Sequence, residues 1–169
     1  MPEFGGVAWN ARPGAVVGNG WLVDSAAIGG IPFDLGSFPG ASTTTISAQV
    51  DPLASGWVAI GFADSADGSY IQHGELWVLV RTNGKYVIWA VGSRLQVGDI
   101  PGIAIEGFHR VELTYDPGAN TATVRINGTA VMTSQPLPST PDIHFAGFHM
   151  FKAGDGGSKI DNFEVVVQP

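Results

Sequence analysis

Short runs rich in β-branched and aromatic residues follow one another along the chain, separated by glycine, proline and asparagine. The clearest are "TTTISAQVD", "GWVAIGFA", "FHRVELTY", "IHFAGFHMF" and "KIDNFEVVV", with weaker ones at "GVAW" and "GWLVDS". No segment keeps the 3.6-residue apolar period of an amphipathic helix over three turns. Two pairs of runs are joined by an Asn-Gly step: Asn83-Gly84 in "ELWVLVRTNGKYVIWAV" and Asn127-Gly128 in "TATVRINGTAVMT". That dipeptide favours the two-residue type I′ hairpin, whose central residues both need positive φ. Many short strands with frequent turns predict an all-β protein, an antiparallel sandwich or barrel.

A two-residue loop at Asn83-Gly84 dictates a register. Thr82 then faces Lys85, Arg81 faces Tyr86, Val80 faces Val87 and Val78 faces Trp89. Opposed residues share a face and neighbours alternate. One face becomes Leu76, Val78, Val80, Val87, Trp89 and Val91, uniformly apolar and hence core. The other carries Glu75, Trp77, Leu79, Arg81, Tyr86, Ile88 and Ala90. Two large aromatics beside an acid and an arginine suit a sugar: the apolar face of a pyranose lies on a ring, and its hydroxyls bond to charged groups. The candidate binding residues are therefore Glu75, Trp77, Arg81 and Tyr86. The competing expectation is that Trp77, Leu79 and Ile88 are covered by a loop or another strand. The second hairpin, by the same reasoning, sets Thr123, Arg125, Ala130 and Met132 on one ordinary exposed face.

Composition narrows the partners. The 169 residues include 24 glycines and 11 prolines, in keeping with a turn-rich β fold, and no cysteine. Eight lysines and arginines stand against fifteen acids, for a net charge of −7. Phosphate backbones and anionic lipid surfaces are therefore not expected partners, since affinity for both rests on basic residues. No apolar run approaches the roughly 20 residues of a membrane span. The opening "MPEFGG" has neither a basic nor an apolar signal region, so no secretory signal is read in this chain. Residues 1–6 read as a disordered or added leader on one domain spanning 1–169.

The order "GWLVDS…TTTISAQVDPLASGWVAIGFADSAD…GELWVLV…HRVELTYDPGANTATVRINGTAV…KIDNFEVV" resembles a concanavalin A-like (laminin-G-like) jelly roll. The resemblance rests on "HRVELTYDPGANTATVRINGTAV", consecutive strands with an Asn-Gly hairpin, and on the terminal "IDNFEVV". It implies two antiparallel sheets, one concave. The superfamily includes lectins, carbohydrate-binding modules, glycosidases, lyases and adhesion or virion proteins, and the fold does not choose among them.

Catalysis finds thin support. Glycosidases of this fold place paired carboxylates on one strand, whereas Glu75 is the lone acid of its strand. Asp161 and Glu164 are three apart, which on a regular strand puts them on opposite faces. "FKAG" from Phe151 to Gly154 matches part of an alginate-lyase signature, and "YIQHGEL" from Tyr70 to Leu76 is loosely similar to another. Yet Gln72 and His73 are adjacent, and no tyrosine follows "FKAG" shortly afterwards. His144 and His149 do not form a metal pair, and no serine or cysteine nucleophile motif occurs. The formal sequon at Asn127 is explained by the turn.

In the closing strand Phe163, Val165 and Val167 are expected inside, with Asp161 on the same alternation. The resemblance implies that a final-strand aspartate helps hold a structural calcium, which makes Asp161 a candidate ligand. One aspartate is not a site, because calcium takes six to eight oxygens. The loop acids Asp64, Asp67 and Asp155 do not form an EF-hand. The expectation is a sandwich outside the cell that binds a polysaccharide or glycan without cutting it. The rival is a structural or adhesion protein, such as a virion surface protein, that self-associates or docks on a capsid or cell surface. In that case Trp77 and Leu79 would lie in a protein interface.

Overall fold

A computed structural model describes residues 15–18, 21–24, 28–34, 42–52, 56–65, 74–102, 107–151 and 158–168. The "GVAW" strand, the leader, His73, Asp67, Asp155 and Lys152–Gly154 lie outside these residues. The strands are β1 (Ala15–Gly18), β2 (Trp21–Asp24), β3 (Ile28–Asp34), β4 (Thr44–Asp51), β5 (Trp57–Ala63), β6 (Gly74–Arg81) and β7 (Lys85–Ala90). They continue with β8 (Ser93–Asp99), β9 (His109–Asp116), β10 (Thr121–Ile126), β11 (Thr129–Pro136), β12 (Phe145–Phe151) and β13 (Lys159–Val167). No helix occurs among the described residues, so none there could cross a membrane.

The strands form two antiparallel sheets, β1-β2-β13-β4-β9-β10-β11 and β3-β12-β5-β6-β7-β8. Between them lies one apolar core. The seven-stranded sheet contributes Ile46, Ala48, Val50, Val111, Leu113 and Val124; the six-stranded sheet contributes Val58, Ile60, Phe62, Leu76, Val78 and Ile88. Aromatic edges lock the sheets together, with Phe148 against Phe163 at 5.5 Å and Phe62 against Tyr115 at 6.4 Å. Strand β3, with two glycines and a proline, and the largely polar β8 were not expected from the sequence. Both are edge strands, where a missing donor or a polar face is tolerated. At one open side Gln96 Nε2 donates to Tyr86 Oη (2.6 Å) and to the Val131 carbonyl (2.8 Å), joining β8 to β11.

The two Asn-Gly turns differ. Asn127 and Gly128 both take positive φ, 51° and 78°, and Ile126 faces Thr129, as a type I′ hairpin requires. Farther along, Val124 faces Met132 while Arg125 faces Ala130. Val131 is thus an extra residue, and the bulge turns Met132 inward instead of onto the exposed face. At the other turn only Gly84 has positive φ, 74°, and its N–H donates to the Arg81 carbonyl (3.2 Å). The loop is therefore Thr82-Asn83-Gly84, a type I turn closed by a glycine in the left-handed region. That third residue shifts the register by one, so Trp77 faces Trp89, Val78 faces Ile88 and Val80 faces Tyr86. Tyr86 and Ile88 consequently join the core, while Val87 and Trp89 turn outward.

The closing strand carries another bulge. Asp161 faces Gln49 and Glu164 faces Ser47, with Asn162 (φ 50°) and Phe163 together opposing one residue. Ile160 and Phe163 both reach the core, Val165 packs against it, and Val167 is exposed. Asp161 does not share the face of Phe163. The bulge places it with Glu164 on the outer face, correcting the opposite-face expectation for that pair.

Gly61 faces both Gly147 and Trp77. A Cβ there would stand 2.4 Å from both the Leu76 carbonyl oxygen and Trp77 Cβ and 2.6 Å from Trp77 Cα, atoms fixed by the strand that cannot yield. Gly61→Ala is expected to cost about 3 kcal/mol, read as a lowered urea midpoint. An unchanged midpoint would contradict this close approach of β5 and β6.

Candidate functional site

The outer face of the six-stranded sheet is not a plainly solvated surface. Ala59, Ala63, Trp77 and Leu79 form a second apolar cluster there, with Trp57, Trp89 and Phe145 packed against it. Alternation along β6 puts Trp77, Leu79 and Arg81 on this face regardless of the turn. The three-residue loop then sets Trp89 directly across from Trp77. Their rings stack with centroids 5.7 Å apart and planes 7° apart, a favourable cross-strand pair. Trp77 is only 6% exposed, and half-buried Trp89 is the more open ring of the two. On β5, Trp57 is half-buried, meets the His149 ring edge-on at 5.0 Å and faces Arg81 on β6.

Charge rims the cluster. Arg81 and Arg94 are exposed, and Arg94 faces Trp89 because a bulge in β8 adds one residue between Ile88 and Trp89 in the pairing. Lys85 and Asp99 form an exposed ion pair on the same side. Glu75 is itself the extra residue of a bulge, since Leu76 faces Phe62 while Gly74 faces Ala63. Its carboxylate accepts the Asp142 N–H (2.9 Å), and its carbonyl accepts the Val91 N–H (2.7 Å). Asp142 in turn pairs with His144 Nε2 at 3.0 Å.

Of the four residues read from the sequence as sugar contacts, Trp77 and Arg81 share this face and Glu75 sits at the end of the same strand. Tyr86 does not join them. It is 4% exposed, lies on the core side of the sheet, and leaves no room at Gly98, where a Cβ would be 2.5 Å from its hydroxyl oxygen. Trp89 takes the place opposite Trp77 that the shorter loop would have given Ala90. Trp57 and Arg94 were missed because pairing across β5 and β8 is set by distant chain segments. The covering of Trp77 and Leu79 is complete within one chain.

Asp161 stands on the outer face of the other sheet, where its Oδ1 accepts the Asn162 N–H at 2.8 Å. No group of three or more His, Cys, Asp or Glu among the described residues could hold a metal ion. Asp161 therefore belongs to no such group among the described residues. Polar side chains described on that face bond to one another. Arg110 bonds Ser47 (3.0 Å) and Glu112 (3.4 Å), and the Thr45 and Thr114 hydroxyls meet at 2.9 Å.

No protein-family model matches the sequence, and no curated protein does. Among solved structures the chain is similar to the carbohydrate recognition domain of Emp47p, with a TM-score of 0.69 and 12% identity, covering 93% of this chain and 87% of that one. It is also similar to the carbohydrate-binding module CBM66 from Bacillus subtilis, with a TM-score of 0.63 and 11% identity over 94% of this chain and 95% of that one. The chain has the concanavalin A-like jelly-roll fold. The chain also matches part of the Trypanosoma rangeli sialidase solved in complex with sialic acid, with a TM-score of 0.63 and 13% identity, over 27% of that longer chain. The Emp46p carbohydrate recognition domain, another neighbour, is known in metal-free and potassium-bound forms. At these identities the likeness shows the jelly-roll fold alone.

Shifted ionisation appears on this jelly roll away from the aromatic face. His109 is 2% exposed, and burial holds its pKa below the ordinary 6.5, with nearby Asp51 opposing the shift. Asn127 fixes the tautomer. Its Oδ1 accepts the Arg110 N–H (3.1 Å), so its Nδ2 must donate, to the Pro101 carbonyl (2.8 Å) and toward His109 Nδ1 (3.2 Å). The imidazole proton therefore sits on Nε2, which has no hydrogen-bond partner. Burial likewise raises Asp51 above 3.8, against the pull of Lys159 and His109.

The two groups act with opposite sign. Below the ordinary imidazole range the unfolded chain takes up the His109 proton before the folded one, so stability falls with pH. Asp51 takes its proton first in the folded state, which offsets the loss only as pH falls toward 3.8. The thermal midpoint is expected to fall from about pH 7 to about pH 5.5. His109→Gln, which keeps an acceptor for Asn127, should flatten that fall; an unchanged slope in the variant would contradict the assignment.

Proposed function

We propose that this jelly roll is a non-catalytic carbohydrate-binding module, acting outside the cell, that holds a glycan chain on the outer face of its six-stranded sheet. The observation that carries the reading is the tryptophan group on that face. Trp89 is stacked on buried Trp77, Trp57 lies two strands away, and arginines rim them. A ring held by a neighbouring ring loses little freedom when a sugar docks, so the stacking gain is not spent on ordering it. Trp77 serves as the support beneath Trp89, and Arg81 is the polar contact closest in register to Trp57. Glu75, engaged by the Asp142 N–H, fixes the rim from which a glycan hydroxyl can be met.

Two observations support binding without cleavage. The carboxylates on this side, Glu75, Asp99 and Asp142, are each occupied by a donor or a base. Among the described residues, the groups with displaced ionisation, Asp51, His109 and Tyr115, belong to the other sheet. A catalytic site would bring such groups together in the groove.

Affinity electrophoresis against a panel of soluble polysaccharides tests the reading. Retention by one glycan class is expected to weaken by roughly tenfold or more in Trp89→Ala, as for a central aromatic anchor. A folded wild type that no polysaccharide retards would contradict it.

A further inference from the structure

Resting on the reading of this face as the glycan platform, we infer that its ligand is an acidic glycan, whose carboxylate or sulfate groups are taken by Arg81 and Arg94. The chain is poor in positive charge, with eight basic residues against fifteen acids. Most of the described basic residues are already committed. Lys85 pairs with Asp99, Arg110 with Glu112, and Lys159 lies within electrostatic reach of Asp51; Arg125 donates to the Gly128 carbonyl. Arg81 and Arg94 have no acidic partner among the described residues, although acids outnumber bases almost two to one.

Their positions are paired. Arg81 directly faces Trp57, and Arg94 directly faces Trp89, so each of the two half-buried tryptophan rings has an unpaired guanidinium beside it. By register the two arginines lie two strands apart across the sheet and four positions apart along it, roughly 16 Å between Cα atoms. One extended glycan can therefore present a charged substituent to each while its rings lie on Trp57 and Trp89.

The chemistry favours an anion. A guanidinium stays charged at every physiological pH and offers a planar fork of donors that fits carboxylate and sulfate oxygens in pairs. When a sugar docks on the adjacent ring, each arginine loses part of its hydration. Neutral hydroxyls replace that loss poorly, whereas an anionic group compensates charge and hydrogen bonds together. The acids of the rim do not oppose this directly, because Asp99 is held by Lys85, Glu75 by the Asp142 N–H and Asp142 by His144.

The test is calorimetric titration of the full chain with four polymers: polygalacturonate, its methyl ester, dextran sulfate and dextran. At least one anionic polymer should bind at least about tenfold more tightly than its neutral counterpart. Arg81→Gln and Arg94→Gln should each weaken that binding about tenfold at an unchanged thermal midpoint, and added salt should weaken the wild type. A response to polygalacturonate alone assigns the anion as a carboxylate, and one to dextran sulfate alone as a sulfate. Equal binding of neutral polymers, with both glutamine variants like wild type, overturns the acidic class. If Trp89→Ala then abolishes that neutral binding, the platform itself survives. Failure of all four polymers, and of a wider neutral panel, overturns both.

Discussion

Successive side chains of a strand point to opposite faces, so one residue more or less in a turn or bulge exchanges what an entire strand shows to the core and to solvent. Three such single residues organise this molecule. Gly84, at positive φ, makes the β6–β7 loop three residues long and brings Trp89 rather than Ala90 alongside Trp77. The extra residue in β8 aligns Arg94 with Trp89. The Asn162–Phe163 bulge drives Phe163 into the core while Asp161 and Glu164 stay outside. The first pairs Trp89 with Trp77 and the second sets Arg94 beside Trp89, which together give the ring face its charged rim.

The same parity explains what could be read from the sequence. Strands whose composition is strongly β-forming, such as Thr44–Asp51 and His109–Asp116, were legible directly. So was the common face of Trp77 and Arg81, since alternation within one strand needs no knowledge of its neighbours. Tyr86 was misplaced because its face depends on loop length, and Asn-Gly serves both the two-residue and the three-residue hairpin. At Asn127 both turn residues adopt positive φ, and that side chain is further fixed by Pro101 and Arg110. Asn83 instead accepts the Lys85 N–H through its side chain, an Asx-type contact compatible with the longer loop. Trp57 and Arg94 were illegible for another reason: their partners are chosen by pairing between strands and, for Arg94, by a bulge.

The two outer faces have diverged in chemistry. On the seven-stranded sheet described polar groups satisfy one another, as Arg110 does with Ser47 and Glu112. The six-stranded sheet carries apolar rings in its middle and uncompensated cations at its margins. Large exposed apolar residues are scattered, with Val97 on an edge strand and Val166 and Val167 at the chain's last strand. Among the described residues the aromatic group is thus a local concentration of ring surface. A surface of rings with charged rims is suited to a ligand that is itself apolar on one side and polar at its edges.

The most direct measurement is the shift of tryptophan indole N–H resonances as the retained glycan is titrated into the labelled chain. The account requires the Trp57 and Trp89 signals to move most, with the backbone amides of Arg81 and Arg94 following and those of Gln49, Arg110 and Asp161 still. Perturbation centred on Gln49, Arg110 and Asp161, with the tryptophans unmoved, would place the ligand on the wrong sheet for this account and contradict it.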